Sequence, residues 1–122
     1  MIVHVGANHI PQMDPNQLLL NMSKMYKKIR EMFPSTKIYN SMMIPRTDNE
    51  ILYALNIINN KVASYCRTLR IKSINHPQFG MKTINFKLLK HDRVHPTKEG
   101  TQIMAKNIFF YLSVLFTTFR TK

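Results

Sequence analysis

The run Asp92-Arg93-Val94-His95-Pro96-Thr97-Lys98-Glu99-Gly100 carries residue types at a spacing that could do chemistry. Asp92 and His95 stand three apart across one tight turn. A carboxylate so placed accepts a hydrogen bond from the imidazole Nδ1–H, which fixes the tautomer and makes Nε2 a general base. Pro96 favours extended or turn backbone at His95, so the ring is expected on a loop. Loops held by rigid elements are where catalytic groups concentrate. The same residues also suit a capped turn with an exposed histidine, and a pattern with two fixed positions does not separate the two readings. A second run, Gly6-Ala7-Asn8-His9, leaves the apolar stretch Ile2 to Val5. The Asn8 amide, with a backbone N–H from Gly6 or a neighbour, could stabilise an oxyanion. Its bland role is a turn residue bonding its own backbone.

The elements that must position these groups follow from periodicity. Ile2 to Val5 is β-branched and reads as a buried strand. Asp14, Pro15 and Gln17 give a helix start: Asp14 as N-cap, Pro15 at the first helical position, Gln17 as the capping-box partner. Leu18, Met22, Met25, Ile29 and Met32 then recur at helical spacing, and Pro34 marks the end. Lys37 to Ile44 reads as a second strand. Thr47 or Asp48 suits the cap of a second helix whose apolar face is Ile51, Leu55, Ile58, Val62, Tyr65 and Leu69. Ile71 to Ile74 is short and β-branched, a third strand ended by His76-Pro77. Gln78 to Arg93 is loop-like. Thr97 caps a third helix, with Glu99 in its first turn and Met104, Ile108, Tyr111, Leu112 and Leu115 facing inward.

Strand and helix alternate, which implies a parallel sheet with right-handed crossovers and helices on its faces. Ligand sites in such sheets lie beyond the carboxyl ends of the strands. Asn8 follows the first strand and His95 follows the third, so both are expected on one rim. That placement favours the catalytic reading of His95.

Composition bounds the rest. The 122 residues suit one domain, and 44% apolar content argues against disorder. The single cysteine, Cys66, excludes an intrachain disulfide and is expected to face the core. Eighteen Lys and Arg against six acidic residues give a charge of +12, which favours polyanions such as nucleic acid or an anionic membrane surface. The charges are spread along the chain, however, and solvated helix faces account for clusters such as Lys24, Lys27, Lys28 and Arg30. The N-terminus has no basic n-region or cleavage pattern, so no signal peptide is read and an intracellular location is expected. The apolar run Ile108 to Phe116 falls short of the roughly 20 residues that span a bilayer. His91 and His95 are four apart, but Pro96 argues against the helical alignment that a metal pair needs, and no metal or cofactor is expected.

The two runs resemble motifs of the SGNH, or GDSL-type, hydrolases. His4-Val5-Gly6-Ala7-Asn8-His9-Ile10 is similar to the family's G-x-N-D block, and Asp92 to Thr101 is similar to its D-x-x-H block, followed by a helix with a glycine in the first turn. Their order, separation and terminal helix agree over essentially the whole chain. The resemblance implies a flavodoxin-like three-layer α/β/α sandwich, N-terminally truncated to about three strands and three helices, over residues 1–122. It implies that His95 is the catalytic base, Asp92 its orienting partner, Asn8 the oxyanion-hole asparagine and Gly6 the turn glycine of that block. It implies hydrolysis of an ester of unknown type.

The chain departs from that pattern in three places. It holds no G-D-S run, and so no nucleophilic serine in the family's position. It lacks the glycine that gives the family a second oxyanion donor. His9 stands where the family usually has aspartate. Among other candidates, Ser41 is expected within a strand, Ser64 and Cys66 within a helix, and Ser35 at the entry end of a strand, so none is expected beside His95. A base with no nucleophile leaves weak residual activity at most. The first strand, central in a complete sheet of this family, becomes an apolar edge open to pairing with another chain, and marginal stability is expected. The alternative function is a non-enzymatic basic module binding nucleic acid, from a mobile-element-derived protein. Against it, no aromatic and basic interleaving and no reading motif is present.

Overall fold

The computed structural model describes residues 1–4, 14–44, 52–80, 85–90 and 95–120. Along the chain run β1 (Ile2–Val3), α1 (Pro15–Met32), β2 (Tyr39–Ser41), α2 (Leu52–Thr68), β3 (Lys72–Ile74) and α3 (Lys98–Arg120), with short 3-10 turns at Pro77–Phe79 and Phe86–Leu88. The strands pair in the order β1-β2-β3, all parallel, with Ile2 opposite Tyr39 and Asn40 opposite Ser73. The α/β class, the parallel sheet and the element order agree with the sequence. The strands are shorter than the apolar runs: the first ends at Val3 and not Val5, the second covers Tyr39–Ser41 and not residues 37–44. The stretch 78–93, expected to be loop throughout, contains the second 3-10 turn and the end of the first.

Alternation along the strands sets the layers. Asn40 points toward α1, where its amide oxygen accepts a hydrogen bond from the buried Tyr26 hydroxyl. Tyr39 points the other way and meets the Tyr111 ring of α3 edge-on at 5.7 Å. α1 and α2 therefore cover one face and α3 the other. Leu18, Met22, Leu55, Ile58, Val62 and Cys66 fill the core under α1 and α2. A smaller core of Ile44, Phe79, Leu88 and Leu89 receives Ile103 and Met104 of α3.

Several helix details differ from the periodic reading. Asp14 makes no side-chain cap, and Gln17 does not close a capping box; its amide donates instead to Asn21 Oδ1 at 2.9 Å. Met32 is 61% exposed, because the helix has already passed the edge of the core, while Tyr26 takes a central place. Leu112 is also exposed. Ile51, Leu115 and the cap at Thr47 or Asp48 lie outside the described residues or side chains.

The ends of α1 and α2 are tied by Arg30. Its guanidinium donates to the carbonyls of Leu69 (2.8 Å), Phe33 (3.1 Å), Thr36 (2.7 Å) and Arg70 (3.0 Å). These carbonyls lie at or just beyond helix C-termini, which leave acceptors unsatisfied. Arg70 itself closes α2 with φ of 60°, and Ile71 N–H donates back to Cys66 O at 2.9 Å. This is a left-handed helix cap built without glycine.

Candidate functional site

His95 stands at the head of α3, and its position is fixed through the backbone. Lys90 N–H donates to His95 O at 2.8 Å, and Leu89 and Pro96 form an antiparallel bridge. Thr97 N–H donates to Leu88 O at 2.8 Å. The Thr97 hydroxyl accepts from Gly100 N–H at 3.1 Å, the N-cap bond that the sequence implies. Gly100 is needed for this docking: a Cβ there would lie 2.6 Å from Leu88 O. The helix thus starts hard against the 3-10 turn at Phe86–Leu88, and His95 is exposed at that junction. Its sequence-predicted partners Asp92, Asn8 and Gly6, and with them His9 and His91, lie outside the described residues.

The described residues bring together a second set of chemical groups that periodicity along one segment does not reveal. Ser41 is the last residue of β2, not an interior strand residue, and is 1% exposed. Its hydroxyl lies 2.8 Å from His76 Nε2 and 3.0 Å from His4 Nδ1. His4 Nδ1 also lies 3.1 Å from the Ser41 carbonyl oxygen. The two imidazoles meet edge-on at 6.3 Å. On its far side, His76 Nδ1 faces the Asn107 amide of α3 at 3.0 Å, and Asn107 and Gln78 exchange two hydrogen bonds at 2.9 Å each. Burial, and then the neighbouring His4, lower the His76 pKa to about 4, so the ring is neutral at physiological pH.

Strand geometry explains the cluster. Ile2 pairs with Tyr39, so His4 continues the row opposite Ser41. Ser41 pairs with Ile74, and His76 lies two residues further on, returning to the same sheet face. α3 covers that face and supplies Asn107. The available signal was a polar residue at or within two residues of the end of each strand, at matching parity. Reading it required the register.

Among the described residues no group of three or more His, Cys, Asp or Glu could hold a metal ion. No helix among them is long and apolar enough to cross a membrane. Burial pushes the Cys66 thiol up to about 12, which marks it as a packing residue.

No protein-family model and no curated protein matches the chain. Solved structures do match. The esterase domain of the ORF1 protein from the zebrafish ZfL2-1 retrotransposon superposes with a TM-score of 0.70 at 23% identity, over 91% of this chain and 66% of that one. The fold is that of the SGNH-type hydrolases. A GDSL-like lipase from Bacteroides thetaiotaomicron matches with a TM-score of 0.74 at 18% identity, over 93% of this chain and 62% of its own. A carbohydrate esterase of family 3 from Talaromyces cellulolyticus gives 0.75 at 17% identity, over 96% of this chain and 58% of its own. The chain thus spans about three fifths of the length of these SGNH-type structures, and at these identities the likeness is one of fold. Of the four residues that the SGNH motifs single out, His95 alone falls among the described residues.

Proposed function

We propose that this chain is the part of an SGNH-type ester hydrolase domain that bears the general base and one side of the oxyanion hole. The observation that carries the reading is the fold likeness to esterases together with the D-x-x-H run ending at the head of the last helix. In this reading His95 takes a proton through Nε2, Asp92 holds its tautomer, and the Asn8 amide with Gly6 N–H receives the developing oxyanion. The serine that such a base would activate has no counterpart in a G-D-S run of these 122 residues. On this reading the dyad is idle in this chain alone.

The test is hydrolysis of a short-chain p-nitrophenyl ester by the purified chain beside His95→Ala. Turnover that is the same in both, at whatever rate, supports an idle dyad. Turnover that collapses in His95→Ala overturns the idleness and leaves the base assignment standing.

A second reading is favoured by charge. Lys24, Lys27 and Lys28 on α1 and Lys61 and Arg67 on α2 are all exposed on the layer that covers one face of the sheet. In this reading the layer binds nucleic acid through phosphate contacts, as a module of a mobile-element-derived protein. Titration of a single-stranded RNA at several salt concentrations tests it. A steep fall of affinity with salt supports it, and no binding at low salt refutes it.

A further inference from the structure

The Ser41, His4 and His76 contacts admit a proton arrangement in which the serine hydroxyl donates to His76. A carbonyl oxygen only accepts, so the 3.1 Å contact between His4 Nδ1 and Ser41 O requires the proton on His4 Nδ1. The same N–H then also points at Ser41 Oγ, 3.0 Å away. With that side of Oγ accepting, the hydroxyl proton is left to donate to His76 Nε2 at 2.8 Å. Nε2 must accept, so the neutral His76 ring carries its proton on Nδ1. That proton needs an acceptor at Asn107. Asn107 is oriented with Nδ2 toward His76, but the paired amides of Asn107 and Gln78 keep both mutual bonds if the two turn over together. Turned over, Asn107 Oδ1 accepts from His76 Nδ1–H and every donor in the cluster has an acceptor. The polarity runs from serine hydroxyl to Nε2 and from Nδ1 to a side-chain oxygen, which is the polarity a serine nucleophile requires.

We propose that Ser41 is an acyl-accepting nucleophile, with His76 as its base and Asn107 as the residue that positions His76. A small activated ester is the substrate class. Ser41 Oγ bonds to the acyl carbon as its proton passes to His76 Nε2. The acyl C–O bond to the alcohol breaks, and His76 returns the proton to the leaving oxygen. The products are acyl-Ser41 and free alcohol. Water then attacks the acyl carbon as His76 Nε2 takes its proton. The bond from the acyl carbon to Ser41 Oγ breaks, His76 returns the proton to Oγ, and the carboxylic acid leaves. No oxidant, reductant or metal enters. Ser41 is buried, and of the two imidazoles on its hydroxyl the His4 ring belongs to an exposed residue. In the proposal, movement of the His4 side chain is what admits the ester to Oγ.

The experiment treats the intact chain with p-nitrophenyl acetate and locates acetyl groups by peptide mass mapping. The expected result is an acetyl group on Ser41, absent in Ser41→Ala, slowed about a hundredfold in His76→Gln, and unchanged in Ser64→Ala, which alters an exposed serine of α2. His4→Ala is expected to speed labelling by removing the cover. Label found on lysines alone, or on Ser41 at the same rate in His76→Gln, overturns the proposal. Because Ser41→Ala leaves a gap between two histidines, Ser41→Cys gives a second reading. The introduced thiol is expected to react with iodoacetamide near neutral pH in a His76-dependent way, with buried Cys66 silent; an introduced thiol as inert as Cys66 overturns the proposal. Asn107 acts through His76, so its readout is a pH profile. Among the described residues His4 is the other titratable group in contact with Ser41, and it is present in both proteins. Asn107→Asp is expected to move the midpoint of the labelling rate to higher pH; an unmoved midpoint refutes the positioning role. Turnover that depends on His95 is measured in parallel and reports on the dyad, not on Ser41.

Discussion

Acid should destabilise this fold through His76. The ring is buried between Ser41 and Asn107, and its pKa stands at about 4 against 6.5 for an unperturbed histidine. The folded protein therefore binds fewer protons than the unfolded chain between those two values, and stability rises with pH in that window. His76's contribution is fully present above about pH 6.5 and is lost as pH falls toward about 4. At about 1.4 kcal/mol for each pH unit separating the two values, the loss is about 3 kcal/mol. A domain of ordinary stability has roughly 5–15 kcal/mol in all, so the effect is large. The assay is urea unfolding followed by circular dichroism from about pH 7.5 to about pH 4, on the wild type and on His76→Asn. Carboxylates and the other histidines titrate in both proteins, so the difference between the two curves isolates His76. The wild-type advantage is expected to shrink by about 3 kcal/mol across the window. A difference that stays flat within about 0.5 kcal/mol refutes the claim that His76 is held neutral by its surroundings.

Three other outcomes follow from the packing. Gly100→Ala should lower stability by about 2 kcal/mol, because a Cβ would meet the Leu88 carbonyl at 2.6 Å and the gain in helix propensity is smaller; a thermal melt at or above wild type would contradict the close docking of α3. Arg30→Lys keeps the charge but loses the planar fork that reaches four carbonyls, and should cost about 2 kcal/mol in urea unfolding. A cost near zero would show that charge and not geometry ties α1 to α2. Cys66, with its thiol pushed up to about 12 by burial, should react with a disulfide reagent only after denaturant is added; reaction of the native protein at the rate of a free thiol would contradict its burial.

Much of the architecture was legible in local sequence. Apolar residues at spacing three and four gave the inner faces of α1 and α2 at Leu18, Met22, Leu55, Ile58 and Val62, because a helix with one buried stripe must repeat at its own pitch. The Thr97 cap was legible because its hydroxyl bonds an N–H three residues on, within the same run. Pro15 marked the start of α1 for the same local reason. Gln17 failed as a capping residue since Asn21, one turn away, offers its amide a partner on the helix surface. Tyr26 was missed because its hydroxyl is buried against Asn40, a residue of strand β2, and the α1 pattern carries no trace of that partner.

The candidate chemistry divides along the same line. Asp92 and His95 stand three apart, so the chain itself proposes them as a pair, as it does Gly6 and Asn8. The cluster of His4, Ser41, His76 and Asn107 is scattered over four elements. Each residue alone reads as an ordinary strand or helix position, and Ser41 reads as strand interior. Parallel pairing set β1, β2 and β3 in one register, and the twofold repeat of the strand then turned His4, Ser41 and His76 to the face that α3 covers. A shift of one residue in any pairing would have sent a member of the cluster to the opposite face. Sequence determined the elements and the local dyad, since both depend on contacts within a turn or a helical repeat. Only the tertiary structure decided which distant polar groups meet, because register is a property of paired strands.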